Sequence, residues 1–142
     1  MYDQFKPAQP VGLMDFVKAA KSCIKEIGPA ELEKFQQEKS DLMVIDVRES
    51  AEHEREGHIK GALFVPRGII EAAADPDYPK KLPELVAARE RPVVLYCATG
   101  GRSAMAAAVL QMMGFKDVYS LVGGFSGWVE AGKPVATEAS YV

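Results

Sequence analysis

The stretch VVLYCATGGRSAMAAAVLQ, residues 93–111, decides the fold. It opens as a brief apolar run, which reads as a strand buried on both faces. Two glycines interrupt the chain, and a long alanine-rich run then predicts a helix over residues 102–115. In that helix Met105, Val109, Met112 and Met113 are available for the core, and Gly114 is its stop. A strand, a tight loop and a helix in so few residues form the unit from which parallel sheets are assembled.

Outward from this unit the same alternation recurs. SCIKEI (22–27) reads as a first strand carrying Cys23 as a core residue. GPAELEKFQQEKS (28–40) reads as a helix with Pro29 at its first position and Leu32 and Phe35 on one face. DLMVIDV (41–47) is a strand, and Ser50 and Gly57 bracket a short charged helix as cap and stop. ALFV (62–65) is a brief strand halted by Pro66, and two helical pieces follow around a Pro/Asp turn within 67–90. KDVYSL (116–121) is a last strand, GGFSGWVEAG (123–132) a turn and short helix, and KPVATEASYV (133–142) a tail. Strands alternating with helices at this spacing imply an α/β domain whose parallel sheet is covered on both faces. The expected division is an arm and short amphipathic helix over 1–22, with apolar Met14, Phe16, Val17 and Ala20, followed by the domain proper over 23–142.

Composition excludes several classes of function. At 142 residues the chain can bury a core without staples. Its net charge of −3 supplies no basic stripe for nucleic acid. No apolar run approaches the ~20 residues of a bilayer span, and the N-terminal charges interrupt any signal-peptide h-region. Two cysteines, Cys23 and Cys97, are too few and too far apart for a disulfide framework or a zinc site, so neither metal nor cofactor is implied. They suit a reducing compartment, and a cytoplasmic location is expected.

Chemistry concentrates after Cys97. Ligands of open α/β sheets bind beyond the carboxyl ends of strands, where this cysteine stands. Ala98, Thr99, Gly100 and Gly101 form a short loop whose amides can turn toward one point. The helix beginning near Arg102 and Ser103 aims unpaired N–H groups at that point. Together they make an anion cup with sulfur at its rim. Such surroundings lower a thiol from its free value of about 8.5, and the thiolate is the attacking species. The planar Arg102 guanidinium suits an oxyanion such as sulfate, thiosulfate or phosphate.

Three segments, VIDVRESAEHEREGHIKGALFVP, VVLYCATGGRSAMAA and LVGGFSGW, together resemble the rhodanese-like sulfurtransferases, in the family's order and across residues 24–134. The resemblance implies a three-layer fold with a central five-stranded parallel sheet and an active-site loop around Cys97. It implies transfer of a sulfane sulfur, from thiosulfate or another persulfide donor, onto Cys97 and then to cyanide, a thiol or a protein, by double displacement. Four residues separate Cys97 from Arg102, as in rhodanese-type transferases; the related phosphatases and arsenate reductases have five, and a histidine where Tyr96 stands. The small, neutral ATGG also departs from the more basic loops of well-known thiosulfate enzymes, which puts thiosulfate itself in question as the donor.

Other residues are weighed beside these. Asp46 and Arg48 fall on the same sheet edge as Cys97; Asp46 is expected to accept from loop amides and Arg48 to pair with Glu52 or line the entrance. His58 reads as a turn and packing position, and His53 as solvated. Gly123 and Gly124 read as a tight turn, with Trp128 anchoring the following helix, and Phe64 and Arg67 as candidate borders of the pocket. The competing readings are a non-catalytic module that holds an anion or partner, and a phosphatase or arsenate reductase. Whether the chain is a monomer or a homodimer is left open by the sequence.

Overall fold

Five strands, β1 (Lys25–Ile27), β2 (Met43–Asp46), β3 (Leu63–Phe64), β4 (Pro92–Tyr96) and β5 (Asp117–Leu121), form one all-parallel sheet in the order β1-β5-β4-β2-β3. The computed structural model describes residues 6–137, so the start of the expected arm and the last five residues of the tail lie outside the described residues. The central strand is the VVLY run, buried at every position. Its side chains alternate between two apolar layers. Val93 and Leu95 join Ile45, Ala106, Ala107 and Leu110 on one face. Val94 and Tyr96 join Val44, Leu32, Leu121 and Trp128 on the other.

Among the described residues, seven α-helices flank the sheet. They are α1 (Leu13–Cys23), α2 (Pro29–Glu38), α3 (Ser50–Glu56), α4 (Ile70–Ala74), α5 (Pro83–Val86), α6 (Gly101–Met112) and α7 (Gly124–Glu130). Pro29 opens α2 and Gly57, at φ 83°, ends α3, as their chemistry dictates. Trp128 is buried, and its indole N–H donates to the Pro134 carbonyl at 2.7 Å, pinning α7.

Three local expectations are corrected. Cys23 ends α1 rather than entering β1, is exposed, and lies 3.3 Å from the Ala20 carbonyl. Glu49, not Ser50, is the cap residue of α3; its N–H donates to the Glu52 carboxylate at 3.1 Å. Met112 is 79% exposed, because the buried stripe of α6 is made by Ser103, Ala104, Ala106, Ala107 and Leu110. Met112 falls on the outward side of α6, while Val109 and the neighbouring Met113 pack against the core as expected.

Candidate active site

The loop after β4 starts on the α6 side of the sheet and closes around the Cys97 sulfur. Sγ accepts from the Gly100 N–H at 3.1 Å and the Ser103 N–H at 3.4 Å, with the Ser103 hydroxyl at 3.5 Å. Ser103 Oγ is in turn 2.8 Å from Ser120 Oγ on β5. Burial works against an ionised sulfur here, but hydrogen bonds from the Ser103 hydroxyl and from the N–H groups of Ser103, Gly100 and Thr99 outweigh it. The thiol is held below its ordinary value.

Two glycines make this loop possible. Gly100 adopts φ 110°, a conformation side chains resist. Gly124, at φ 58°, passes so close under the loop that a Cβ there would stand 2.5 Å from the Cys97 carbonyl oxygen. That approach lets the first turn of α7 hold the loop: Phe125 N–H donates to Cys97 O at 2.7 Å and Ser126 N–H to Ala98 O at 3.1 Å.

Arg102, expected to meet the donor, lines the cavity over the sulfur and is also held by a carboxylate. Its guanidinium makes a bidentate pair with Glu52 of α3, at 2.7 and 2.9 Å. Hydrogen bonding to Arg102 is the main cause that brings Glu52 down to about 2. Glu52 therefore takes Arg102, not Arg48 as the sequence suggested.

Asp46 and Arg48 form a separate buried network, and strand alternation explains why. Asp46 is in register with Tyr96, so both project to the face opposite Cys97. The Arg48 guanidinium meets the Asp46 carboxylate at 2.8–3.2 Å and donates to Gly57 O at 2.6 Å. It lies 4.2 Å from the Phe125 ring centroid. The Tyr96 hydroxyl donates to Asp46 at 3.0 Å, and His53 Nδ1 is 2.8 Å from the same carboxylate. His53 is thus drawn into the network, its side chain only 10% exposed, rather than solvated. Burial opposes the Asp46 charge, yet hydrogen bonds from Arg48 and His53 leave its carboxyl below the ordinary range. The carboxylate therefore braces β2, β4 and α3 and does not cradle the loop amides. His58 is buried, its N–H bonded to the Ala136 carbonyl at 2.9 Å. Phe64 stacks on His53 at 4.5 Å, and Arg67 pairs with Glu71 at 3.1 Å.

A cavity of about 340 Å³ opens over the sulfur, and its outer wall was not anticipated. Leu13, Met14 and Val17 of α1 face Thr99, Gly101 and Arg102 of the loop across it, with Cys97 in its lining. Neither Phe64 nor Arg67 belongs to that lining among the described residues. The sequence signal for the wall was faint: exposed Leu13 and Met14 precede buried Val17 on a helix already read as amphipathic.

A parallel α/β sheet with a cysteine held in a ring of loop N–H groups at the carboxyl end of its central strand defines the class. The chain belongs to the rhodanese-like domain family, whose family model matches residues 28–131. Its similarities extend to a Mycobacterium tuberculosis protein described as a probable adenylyltransferase/sulfurtransferase, 36% identical over 84% of this chain. This chain spans only 28% of that relative's length. Among solved structures, a Rhodopseudomonas palustris protein of unknown function, described as a possible tyrosine phosphatase, superposes with a TM-score of 0.82 at 34% identity, covering 92% of this chain and 99% of its own. The polysulfide-sulfur transferase homodimer of Wolinella succinogenes superposes with a TM-score of 0.67 at 33% identity, covering 87% and 85%.

Proposed function

We propose that this protein is a sulfurtransferase that carries sulfane sulfur on Cys97. The observation that carries the reading is the sulfur itself, faced by two backbone N–H groups and a hydroxyl and held below its ordinary pKa. The thiolate attacks the outer sulfur of a donor such as thiosulfate; a Cys97 persulfide forms and sulfite leaves with the electron pair of the broken S–S bond. Cyanide, a cellular thiol or a protein thiol then attacks the persulfide's terminal sulfur, and the Cys97 thiolate departs. The loop amides that face one anionic sulfur are arranged to hold the next. A thiol held below its ordinary value yields thiolate more readily, so the step leans less on a general base. Asp46 and Arg48 act on this reaction by position, bracing β2 against β4. Two free cysteines suit a reducing, cytoplasmic setting.

A phosphatase is the second reading, favoured by the description of the R. palustris neighbour. Against it stands the four-residue span from Cys97 to Arg102, whose arginine is already paired with Glu52. Steady-state formation of thiocyanate from a sulfane donor and cyanide decides between them. Parallel double-reciprocal lines, lost in Cys97→Ala, are expected. Hydrolysis of an aryl phosphate that depends on Cys97, without thiocyanate, would reverse the assignment.

A further inference from the structure

The wall of the Cys97 cavity is supplied by a helix that precedes the residues matched as the family domain, and it is apolar. Three observations bear on what enters there. First, α1 is fitted to the loop: a Cβ at Gly101 would lie 3.3 Å from Val17 Cγ2, so the helix stands in contact with the residues that surround the sulfur. Second, Leu13 and Met14 are 66% and 69% exposed, yet both line the cavity mouth. Apolar side chains left open to water beside a nucleophile mark a surface that gains from being covered. Third, the loop's arginine is neutralised by its pair with Glu52. The other nearby cation, Lys21, lies within 3.8 Å of Glu26. A compact dianion such as thiosulfate would have to compete with both carboxylates for positive charge, and would leave the apolar wall wet.

From this combination we infer that α1 is the specificity element and that the preferred donors are organic sulfane compounds, carrying a single negative charge and an apolar group that covers Leu13 and Met14. The inference rests on the sulfurtransferase reading and names its substrate class. The cavity's size lies within the range of sites for organic molecules. For a thiosulfonate the step balances. The Cys97 thiolate attacks the outer sulfur of R–SO2–S⁻, the S–S bond to the sulfonyl sulfur breaks, and the sulfinate R–SO2⁻ leaves with the bonding pair. Cyanide then removes the terminal sulfur as thiocyanate and regenerates the thiolate. Leu13 and Met14 act as specificity-determining residues, and Glu52 as a positioning residue that occupies Arg102.

The test uses the full chain and three donors: benzenethiosulfonate, methanethiosulfonate and thiosulfate. The first two differ only in the apolar group, and the last two chiefly in charge. One methylene in an apolar pocket discriminates by about 10–200-fold, so kcat/KM for the benzene compound should exceed that for the methane compound by at least about 10-fold. In Leu13→Ala/Met14→Ala that ratio should fall about five-fold or more through KM, because uniform binding is what is removed. Both positions are exposed, and a thermal midpoint matching the wild type confirms that α1 is in place. Glu52→Gln should raise kcat/KM for thiosulfate several-fold relative to methanethiosulfonate, a gain that structural damage would not produce. Equal use of the two thiosulfonates, or a ratio unmoved in the double variant, overturns the inference while leaving the transferase intact. If none of the three donors charges Cys97, the transferase reading itself has failed, and the inference with it.

Discussion

Replacing Ser103 with alanine removes the hydroxyl 3.5 Å from the Cys97 sulfur and leaves the Ser103 N–H, at 3.4 Å, in place. The change removes one buried oxygen and with it the 2.8 Å partner of the Ser120 hydroxyl. A hydrogen bond to a charged group contributes about 1.5–3 kcal/mol, and the long contact to sulfur puts this one at the lower end. At about 1.4 kcal/mol per unit, the thiol should rise by about one pKa unit. The alkylation midpoint moves up by that amount; below the midpoint the thiolate falls about tenfold, and because a more basic sulfur is a better nucleophile, with a Brønsted slope of about 0.4–0.5, alkylation there slows only about three- to fourfold. The assay is the rate of iodoacetamide alkylation against pH, in a Cys23→Ser background because Cys23 is exposed and would react independently. Stability moves with the same group. A thiol held low in the folded state stabilises the fold above its unfolded pKa, and that contribution is lost as pH falls through the folded pKa. Ser103→Ala narrows that window from below. An alkylation midpoint that stays where it was, or drops, would refute the view that the hydroxyl helps to hold the charge.

Gly124→Ala forces a side chain into φ 58° and against the Cys97 carbonyl; the backbone conformation alone costs roughly 1–2 kcal/mol. Thermal denaturation should show a clear loss, and the Cys97 alkylation midpoint should rise as the loop is displaced. Asp46→Asn leaves Arg48 buried without its counter-charge, a loss of about 3–5 kcal/mol measurable by urea unfolding. Glu52→Gln removes a carboxylate lowered from 4.5 to about 2 by its hydrogen bonds to Arg102. Its stabilisation is present above pH 4.5 and lost as pH falls toward 2; with the pair partly exposed and screened, the variant should be less stable by about 1 kcal/mol at neutral pH and show a flatter acid limb in a stability–pH series.

The cysteine loop was legible in the sequence because its parts are contiguous. Cys97, Gly100 and Ser103 sit within one turn of chain, and the β4–loop–α6 order leaves their amides little choice of direction. The parallel sheet followed from the alternation of strands and helices, whereas the strand order β1-β5-β4-β2-β3 was not read from the sequence. Which arginine meets which carboxylate was not legible. Arg48 and Arg102 both lie within reach of Glu52 by spacing, and only the register of Asp46 with Tyr96 sends Arg48 to the opposite face. His53 was misjudged for that reason, since its partner is set by sheet pairing. The apolar wall on α1 depends on a contact between Val17 and Gly101, far apart in the chain, and the missing Cβ that permits it leaves no periodic trace. Met112 was read as available for the core with Met113, but the two are adjacent at the end of α6 and only Met113 turns inward.

The most direct test of the account is the mass of the protein and its peptides after exposure to a sulfane donor without acceptor. A gain of about 32 Da confined to the peptide holding Cys97, reversed by cyanide and absent in Cys97→Ala, is the predicted result. An unchanged mass, or sulfur found on Cys23 alone, would contradict it.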